Sequence, residues 1–274
     1  KNQIFFLPEK LFSRCHLLLG ILIIIFSAKA VSQQMIAVHA KDFTTDHLQN
    51  VYAITPENEV IKFQPDGREA FRFQNKTLGD SVILDATNPF ELLLFYPEYQ
   101  TVLTLDRTLS LGAQFNLLQL GFPKISAVGM ASDGKLWLYD EANFRLKKIA
   151  ADGSIAAQSA DLSLALGRAI QPNFLLEREQ VVFLNDPAQG ILQFDIFGNY
   201  LKTLDIKGLR RFQVAGEQLL FFENGQWQAF HLQALLQRPL KLPEGTPPVE
   251  NMRLEKDWVF VLQPGGIGVA QFRR

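Results

Sequence analysis

The chain has 274 residues, of which 47% are hydrophobic and 20% are charged, and it contains one cysteine. This composition excludes an intrinsically disordered chain and indicates a globular protein with a sizeable core. The formal net charge of −1 argues against a general nucleic-acid binder, which would carry an excess of lysine and arginine.

The first 30 residues have the pattern of a secretory signal peptide. Lys10 and Arg14 precede an apolar run at 17–26, and a small-x-small cleavage site follows at 28–30. The run is shorter than the roughly 20 residues that span a bilayer, and an uncleaved anchor stays open as the alternative. We therefore expect an extracytoplasmic protein that is periplasmic, attached to the envelope or secreted.

Removal of this leader would leave a chain without cysteine, because Cys15 lies within it. Disulfide bonds and thiol catalysis are therefore not expected, and the core alone must stabilise the fold. The leader also holds four bases and one acid, so the net charge of residues 31–274 is near −4.

A short apolar strand pattern recurs six times in the remaining chain. Neighbouring copies are 38 to 45 residues apart, a spacing typical of four-stranded propeller blades. The copies begin at Val51, Leu92, Leu136, Val181, Leu219 and Trp258.

Three of these copies are followed by a matching strand that ends in a glycine turn. Glycine tolerates the positive φ that such turns need. A β-sandwich also has frequent turns, but six repeats with matched internal turns favour a propeller. The three strands lie at 60–63, 146–149 and 191–194, and their turns contain Gly67, Gly153 and Gly198.

The first strand after the leader has no earlier blade to belong to. We predict that residues 35–39 pair with residues 268–272 and complete the last blade, since joining the two ends removes exposed sheet edges. The predicted fold is therefore all-β, a six-bladed β-propeller with four-stranded blades. The blades are expected at about 41–76, 77–118, 119–160, 161–206, 207–243 and 244–274, the last with 35–39 added.

The third predicted blade carries the most regular motif. Residues 133–140, DGKLWLYD, combine a glycine turn with a strand that ends in an aromatic residue and aspartate. An arginine-hydrophobic strand start follows at 144–149, and Asp-Gly closes the unit at 152–153. This motif resembles an NHL repeat, and the resemblance implies an exported six-bladed propeller that serves mostly as a binding platform. This chain has no residues that match the functional positions of the RNA-binding or enzymatic relatives.

Acidic residues recur in the loops between the second and third strands of five predicted blades. Because these loops open on one face, they would form an acidic ring that attracts a basic partner or a cation. The alternative is that turns and solvent simply favour acids. The residues are Glu57, Glu98, Asp140, Glu141, Asp186 and Glu223.

Basic residues precede the innermost strand of four predicted blades. They would form a collar at the mouth of the central channel, where clustered cations bind a carboxylate or a phosphate. The alternative is that single charges flank strands as solvated ends. The residues are Lys41, Lys124, Arg168 and Arg211, with Arg210 beside the last.

Motifs for metal binding, a cofactor or nucleophilic catalysis are not found in the sequence. The histidines His39, His47 and His231 fall in different predicted blades without metal-ligand spacing, and no serine elbow occurs. A structural calcium in the channel stays open as an alternative.

Aromatic residues in or beside turns could form a partner-binding patch, although packing between blades also explains them. They are Tyr96, Tyr99, Phe144, Phe197 and Trp227.

The sequence thus predicts a non-catalytic, exported propeller that binds or scaffolds a protein partner in an envelope assembly. We expect no nucleic-acid partner, no cofactor and no transmembrane span in the mature chain. Two alternatives stay open: a small-anion binder or enzyme that uses the channel mouth, and a carbohydrate binder with aromatic residues along one groove.

Overall fold

The structure is a computed structural model, and it describes residues 34–79, 81–243 and 246–272. The predicted signal peptide, residues 1–30, lies outside these ranges. Within them, none of the helices combines the length and apolar character needed to cross a bilayer.

The described chain forms six antiparallel sheets of four strands each, which confirms the predicted six-bladed propeller. Blades 1 to 5 contain β2–β5, β6–β9, β10–β13, β14–β17 and β18–β21, and blade 6 contains β22–β24 together with β1. In chain order the strands are β1 (Gln34–Ala37), β2 (Asp42–Thr45), β3 (Val51–Ile54), β4 (Val60–Phe63), β5 (Glu69–Phe73), β6 (Ile83–Asp85), β7 (Glu91–Tyr96), β8 (Thr101–Asp106), β9 (Leu111–Asn116), β10 (Ile125–Met130), β11 (Leu136–Asp140), β12 (Arg145–Ile149), β13 (Ile155–Gln158), β14 (Phe174–Arg178), β15 (Val181–Asp186), β16 (Gly190–Asp195), β17 (Tyr200–Leu204), β18 (Gln213–Ala215), β19 (Gln218–Glu223), β20 (Gln226–His231), β21 (Leu236–Pro239), β22 (Met252–Glu255), β23 (Trp258–Gln263) and β24 (Gly266–Gln271).

The ring closes as predicted, through the first described strand. β1 pairs with β24 and becomes the outermost strand of blade 6, with Met35 opposite Gly268 and Ala37 opposite Gly266. The paired segment of β24 is 266–269, so it begins two residues earlier than the predicted 268–272. Gly266 has φ +145°, and a Cβ there would clash with the carbonyl oxygen of Ile36, so this close approach of the two strands requires glycine.

Apolar clusters fill all six interfaces between neighbouring blades of the described chain. Between blades 3 and 4, for example, Trp137 and Tyr139 from β11 pack with Leu175, Val182 and Phe194. Burial of each such side chain contributes about 1.5–3 kcal/mol, so these interfaces are the main source of stability.

The three shared glycine turns contact the chain of the preceding blade or the connection from it. The turn between β16 and β17 lies against the end of β13, where a Cβ on Gly198 would be 2.8 Å from the carbonyl carbon of Gln158. Gly198 also has φ +87°, which L side chains rarely adopt. Gly153 likewise faces Leu120, in the connection after β9 of blade 2, and Gly67 faces Gln34 of β1. The repeated glycine is therefore a contact between blades as well as a turn residue.

Polar side chains on the innermost strands also link neighbouring blades. Glu177 on β14 is buried and accepts hydrogen bonds from Trp137 Nε1 (2.5 Å) and the Ser132 amide (3.0 Å) in blade 3. Gln213 on β18 bonds both the amide and the carbonyl of Leu254 in blade 6, at 2.9 and 2.7 Å. These bonds set the positions of the strands that surround the channel.

One short helix, α1 (Leu162–Leu166), follows β13, and Asp161 caps it by accepting from the Ser163 and Leu164 amides. Residues 230–240 form the end of β20, a turn and β21.

Candidate functional site

The six innermost strands surround a central channel whose wall is partly charged. Along β22, Met252 and Leu254 pack between blades 5 and 6, while the alternate residues Arg253 and Glu255 line the channel. These residues line a cavity of about 70 Å³ within the channel. Its other polar lining residues include Thr45, Asp46, Asp85, Arg178 and Gln213.

The acids that line the channel already accept hydrogen bonds from neutral groups. The Asp85 carboxylate accepts from the amides of Thr87 (2.8 Å) and Met130 (2.8 Å), which ties blade 2 to blade 3. Glu255 Oε1 accepts from Thr45 Oγ1 (2.8 Å) and Gln213 Nε2 (3.0 Å), so it joins three blades. Burial raises the pKa of the Glu255 carboxyl, even though the hydrogen bond from Thr45 and the charges of Arg253 and Arg178 oppose the shift.

The arginines that line the cavity differ from the acids in their hydrogen bonding. Within the described ranges, the side chains of Arg253 and Arg178 make neither a hydrogen bond nor an ion pair. Burial lowers the pKa of Arg253 to about 10, and the charge of Arg211 acts in the same direction. The acids Asp42, Glu255 and Asp85 oppose this shift but do not cancel it. The channel therefore holds a guanidinium whose charge is only partly compensated.

Three of the five predicted collar residues come together at one end of the channel. Lys41, Arg210 and Arg211 line a common groove that also contains Asp42 and Glu250. Arg211 Nη1 donates to Asp42 at 2.8 Å, and Arg210 is 3.8 Å from Glu250. Lys41 Nζ donates to the side chain of Asn58.

The other two collar residues lie elsewhere. Lys124 is 73% exposed and pairs with Glu141 at 2.6 Å. Arg168 is exposed in the segment after α1, and it does not stand directly before an innermost strand, because β14 begins only at Phe174. The short helix and the segment that follows it displace Arg168 from the expected register. A role in anion binding stays a prediction for these residues.

Two members of the predicted acidic ring are buried and hold the chain in place. Asp140 accepts from Lys147 Nζ and Asn143 Nδ2, both at 2.7 Å. Asp186 accepts from the amides of Gln171 and Ala188, both at 2.7 Å. An aspartate that ends a strand can bond the amides of the following loop, which draws it inward and away from a partner.

The remaining acids of the ring reach the surface. Glu57 and Glu98 are exposed, Glu141 pairs with Lys124, and Glu223 accepts from Gln237 Nε2 at 3.0 Å. A continuous ring of six available carboxylates is therefore not formed, and the prediction was wrong for Asp140 and Asp186. Partner binding by the other four stays a prediction.

Some of the predicted aromatic candidates are buried, and others are exposed. Tyr96 and Trp227 are buried within the clusters between blades, and Phe144 is partly buried. Tyr99 is 50% exposed and Phe197 is 67% exposed.

No group of three or more histidine or acidic side chains suited to a metal ion occurs in the described part of the chain. His39 and His47 are exposed, and His231 Nε2 is 3.5 Å from Glu217.

The outer edge of the propeller has a nearly uncharged stretch that the sequence analysis did not predict. The outermost strands of blades 2, 3 and 4 are β9, β13 and β17, and Lys202 is their only charged residue. Leu111, Ile155 and Leu201 on these strands are 54%, 49% and 52% exposed. We call these three strands, with Phe197 before β17, the apolar rim.

The outer strands of two other blades differ from the apolar rim. In blade 1, β5 carries the ion pair of Glu69 with Arg72, at 2.5 Å. In blade 5, β21 contains Arg238 and ends at Pro239. Charges and proline on an edge strand hinder pairing with another chain, so these two edges are protected and the apolar rim is not. The signal was present in the sequence, as a lack of charge in three successive fourth strands.

Comparison with known proteins finds neither a matching family model nor a matching curated protein. Among solved structures, a streptogramin B lyase is 13% identical with a TM-score of 0.58, and the match covers 88% of this chain and 87% of that one. A catalytically inactive virginiamycin B lyase from Staphylococcus aureus, with quinupristin, is 12% identical with a TM-score of 0.56 and covers 88% of each chain. BamB from Moraxella catarrhalis is 9% identical with a TM-score of 0.49, covering 85% of this chain and 82% of its own. At these identities the likeness to the two lyases shows a shared fold alone, and that fold is a β-propeller.

Proposed function

We propose that this protein is an exported, non-catalytic binding propeller that docks a protein partner of the cell envelope on its apolar rim. Export is supported by the leader pattern at 1–30. A binding role is favoured over catalysis because the buried acids Asp140, Asp186 and Glu177 are occupied by hydrogen bonds that hold the fold together.

The single observation that carries this proposal is the exposure of large apolar side chains on three adjacent blades. Exposed apolar residues are common when scattered, but neighbouring ones on unprotected edges mark interaction surfaces. Phe197, Tyr200 and Leu201 lie on one hairpin, and they are 67%, 41% and 52% exposed. The turn of this hairpin contacts the end of β13, so the outer edges of blades 4 and 3 are adjacent.

An edge strand can also bind a partner through its backbone. β17 is hydrogen-bonded only to β16, so its outer side presents the unpaired amides and carbonyls of an edge strand in the described structure. A partner strand could add to this edge while its side chains contact Leu201 and Phe197. Such docking would cover the apolar surface and satisfy the backbone groups together.

A photo-cross-linking experiment tests this proposal. A benzophenone amino acid is placed at Leu111, Ile155 or Leu201 on the apolar rim, and at Phe71 on β5 as the control. Phe71 is also exposed, at 39%, but it lies on an edge that carries charges. We expect one partner to be cross-linked in envelopes from all three rim positions and not from Phe71.

Substitution by glutamate then measures the contribution of the rim to affinity. Leu201→Glu should weaken binding of the cross-linked partner by about 2 kcal/mol, or about thirtyfold, because it places a charge in an apolar contact. Phe71→Glu should leave the affinity unchanged. Cross-links of equal yield at Phe71, or equal affinity of the Leu201→Glu protein, would refute docking on the apolar rim.

A further inference from the structure

The central channel contains two cationic side chains that form no direct ion pair with an acid in the described structure. Arg253 extends from β22 and Arg178 from the end of β14, and both line the same cavity. Within residues 34–79, 81–243 and 246–272, neither guanidinium has a hydrogen bond or an ion pair. By contrast, Arg211 at the channel mouth is paired with Asp42.

The acids near these arginines are held by other donors. Glu255 Oε1 accepts from Thr45 and Gln213, and Asp85 accepts from the amides of Thr87 and Met130. Their charges act on Arg253 at longer range, but burial and Arg211 act in the opposite direction and dominate, so the pKa of Arg253 falls. An arginine fork in such a position is stabilised by an anion that supplies two acceptor oxygens.

The cavity has the size of a small ligand and a path to solvent. Its volume of about 70 Å³ exceeds the roughly 10–15 Å³ that one water needs, and a compact oxyanion fits this range. The cavity shares His47, Thr87 and Arg178 with an open depression of about 480 Å³. A ligand that enters from the depression would therefore pass Arg178 before it reaches Arg253.

We propose that the central channel binds one small oxyanion, a phosphate or a carboxylate group, between the guanidinium groups of Arg178 and Arg253. Arg253 binds the oxyanion inside the cavity, and Arg178 closes the contact at the junction with the depression. Gln213 and Thr45 stand beside this site, where their side chains already bond Glu255 and keep that carboxylate turned toward them. The site is separate from the apolar rim and does not depend on docking there.

The test uses the whole mature chain with inorganic phosphate and with acetate as probes. Binding is measured by calorimetry and by the shift of the thermal unfolding midpoint, at an ionic strength held constant with sodium chloride. We expect at least one probe to bind and to raise the midpoint in a concentration-dependent way. The probe that binds more tightly assigns the class of ligand, phosphate or carboxylate.

Three variants separate this site from general charge effects. Arg253→Gln and Arg178→Gln should each weaken binding at least tenfold, since each removes one charged fork. Arg68→Gln is the matched control, because Arg68 is a highly exposed arginine on the turn between β4 and β5 and pairs only locally with Asp66. The affinity of the Arg68→Gln protein for the probes should equal that of the wild-type chain.

If Arg253→Gln does not fold, Arg253→Lys and Arg178→Gln decide the question. Lysine keeps the charge but loses the fork, so Arg253→Lys should bind with an affinity between those of the wild-type chain and Arg178→Gln. The proposal is overturned if neither probe binds, or if the probes bind equally well to wild type and to the channel variants.

Discussion

Replacing Asp140 by asparagine should strongly destabilise the propeller, although this residue looks like a surface acid in the sequence. Asp140 is fully buried, and its Oδ2 accepts from Lys147 Nζ and Asn143 Nδ2, both at 2.7 Å. An asparagine amide at that position would place an NH₂ group against two donors. The ammonium of Lys147, whose side chain is 9% exposed, would then lose its only acid within ion-pair distance in the described structure.

The expected loss follows from the contacts that remain. Removing one partner of a buried ion pair costs about 3–5 kcal/mol, because the other charge stays buried. Lys147 Nζ also lies 5.3 Å from the centre of the Phe122 ring, and this cation–π contact of about 1 kcal/mol survives the substitution. Asparagine Oδ1 can still accept from the loop amides of Ala142 and Asn143. We therefore expect a loss near the lower end, about 3 kcal/mol.

Equilibrium unfolding in urea, followed by tryptophan fluorescence, measures this loss. The double variant Asp140→Asn with Lys147→Met removes the buried charge, so its loss should be well below the sum of the two single losses. Asp152→Asn is the matched control, since Asp152 lies in the exposed turn of the same blade and should matter much less. A loss below about 1 kcal/mol for Asp140→Asn, or full additivity in the double variant, would refute the reasoning.

Two further substitutions test the contacts between blades and the charge of the channel. Gly198→Ala adds a Cβ 2.8 Å from the Gln158 carbonyl carbon at φ +87°, whereas Gly134→Ala at φ +76° meets nothing within 4 Å. In urea unfolding the first should therefore lose at least about 1 kcal/mol more than the second, and equal losses would contradict the contact between blades. Because the pKa of the Glu255 carboxyl is raised in the folded chain, wild type should lose stability relative to Glu255→Gln as the pH rises above 4.5 and until it passes the folded pKa. A difference in unfolding free energy that stays constant from pH 4 to pH 8 would contradict the raised pKa.

The fold could be predicted because the same strand pattern recurs several times, and each copy indicates the same unit. Six apolar second strands at similar spacing, and three matched glycine turns, each point to the same four-stranded unit. The position of β1 also followed from the sequence, since a strand without a blade at one end and a blade without an outer strand at the other must join. The register of this pairing needed the structure, because it depends on how closely Ile36 can approach Gly266.

The candidate sites were harder to predict, because burial is not visible in residue type. Asp140 and Glu98 occupy comparable loops, yet one is buried in an ion pair and the other is exposed. Arg253 was not predicted because the collar hypothesis concerned only the residues that precede innermost strands, and Arg253 lies inside one. Its alternation with Met252 and Leu254 was the available signal, since one side of that strand must face the channel.

The pairing of β1 with β24 also constrains when the protein can finish folding. Met35 and Gln263 are 228 residues apart in sequence, and their side chains touch in the closed ring. Contacts of such long sequence separation form late, because a large loop must be closed before they contribute. Until the last blade has emerged, β1 has no strand to join, and the edges of the open array are free to pair with other chains. The folding rate of this propeller should therefore be limited by the meeting of its two ends, and any factor that protects the unpaired strand would act in that interval.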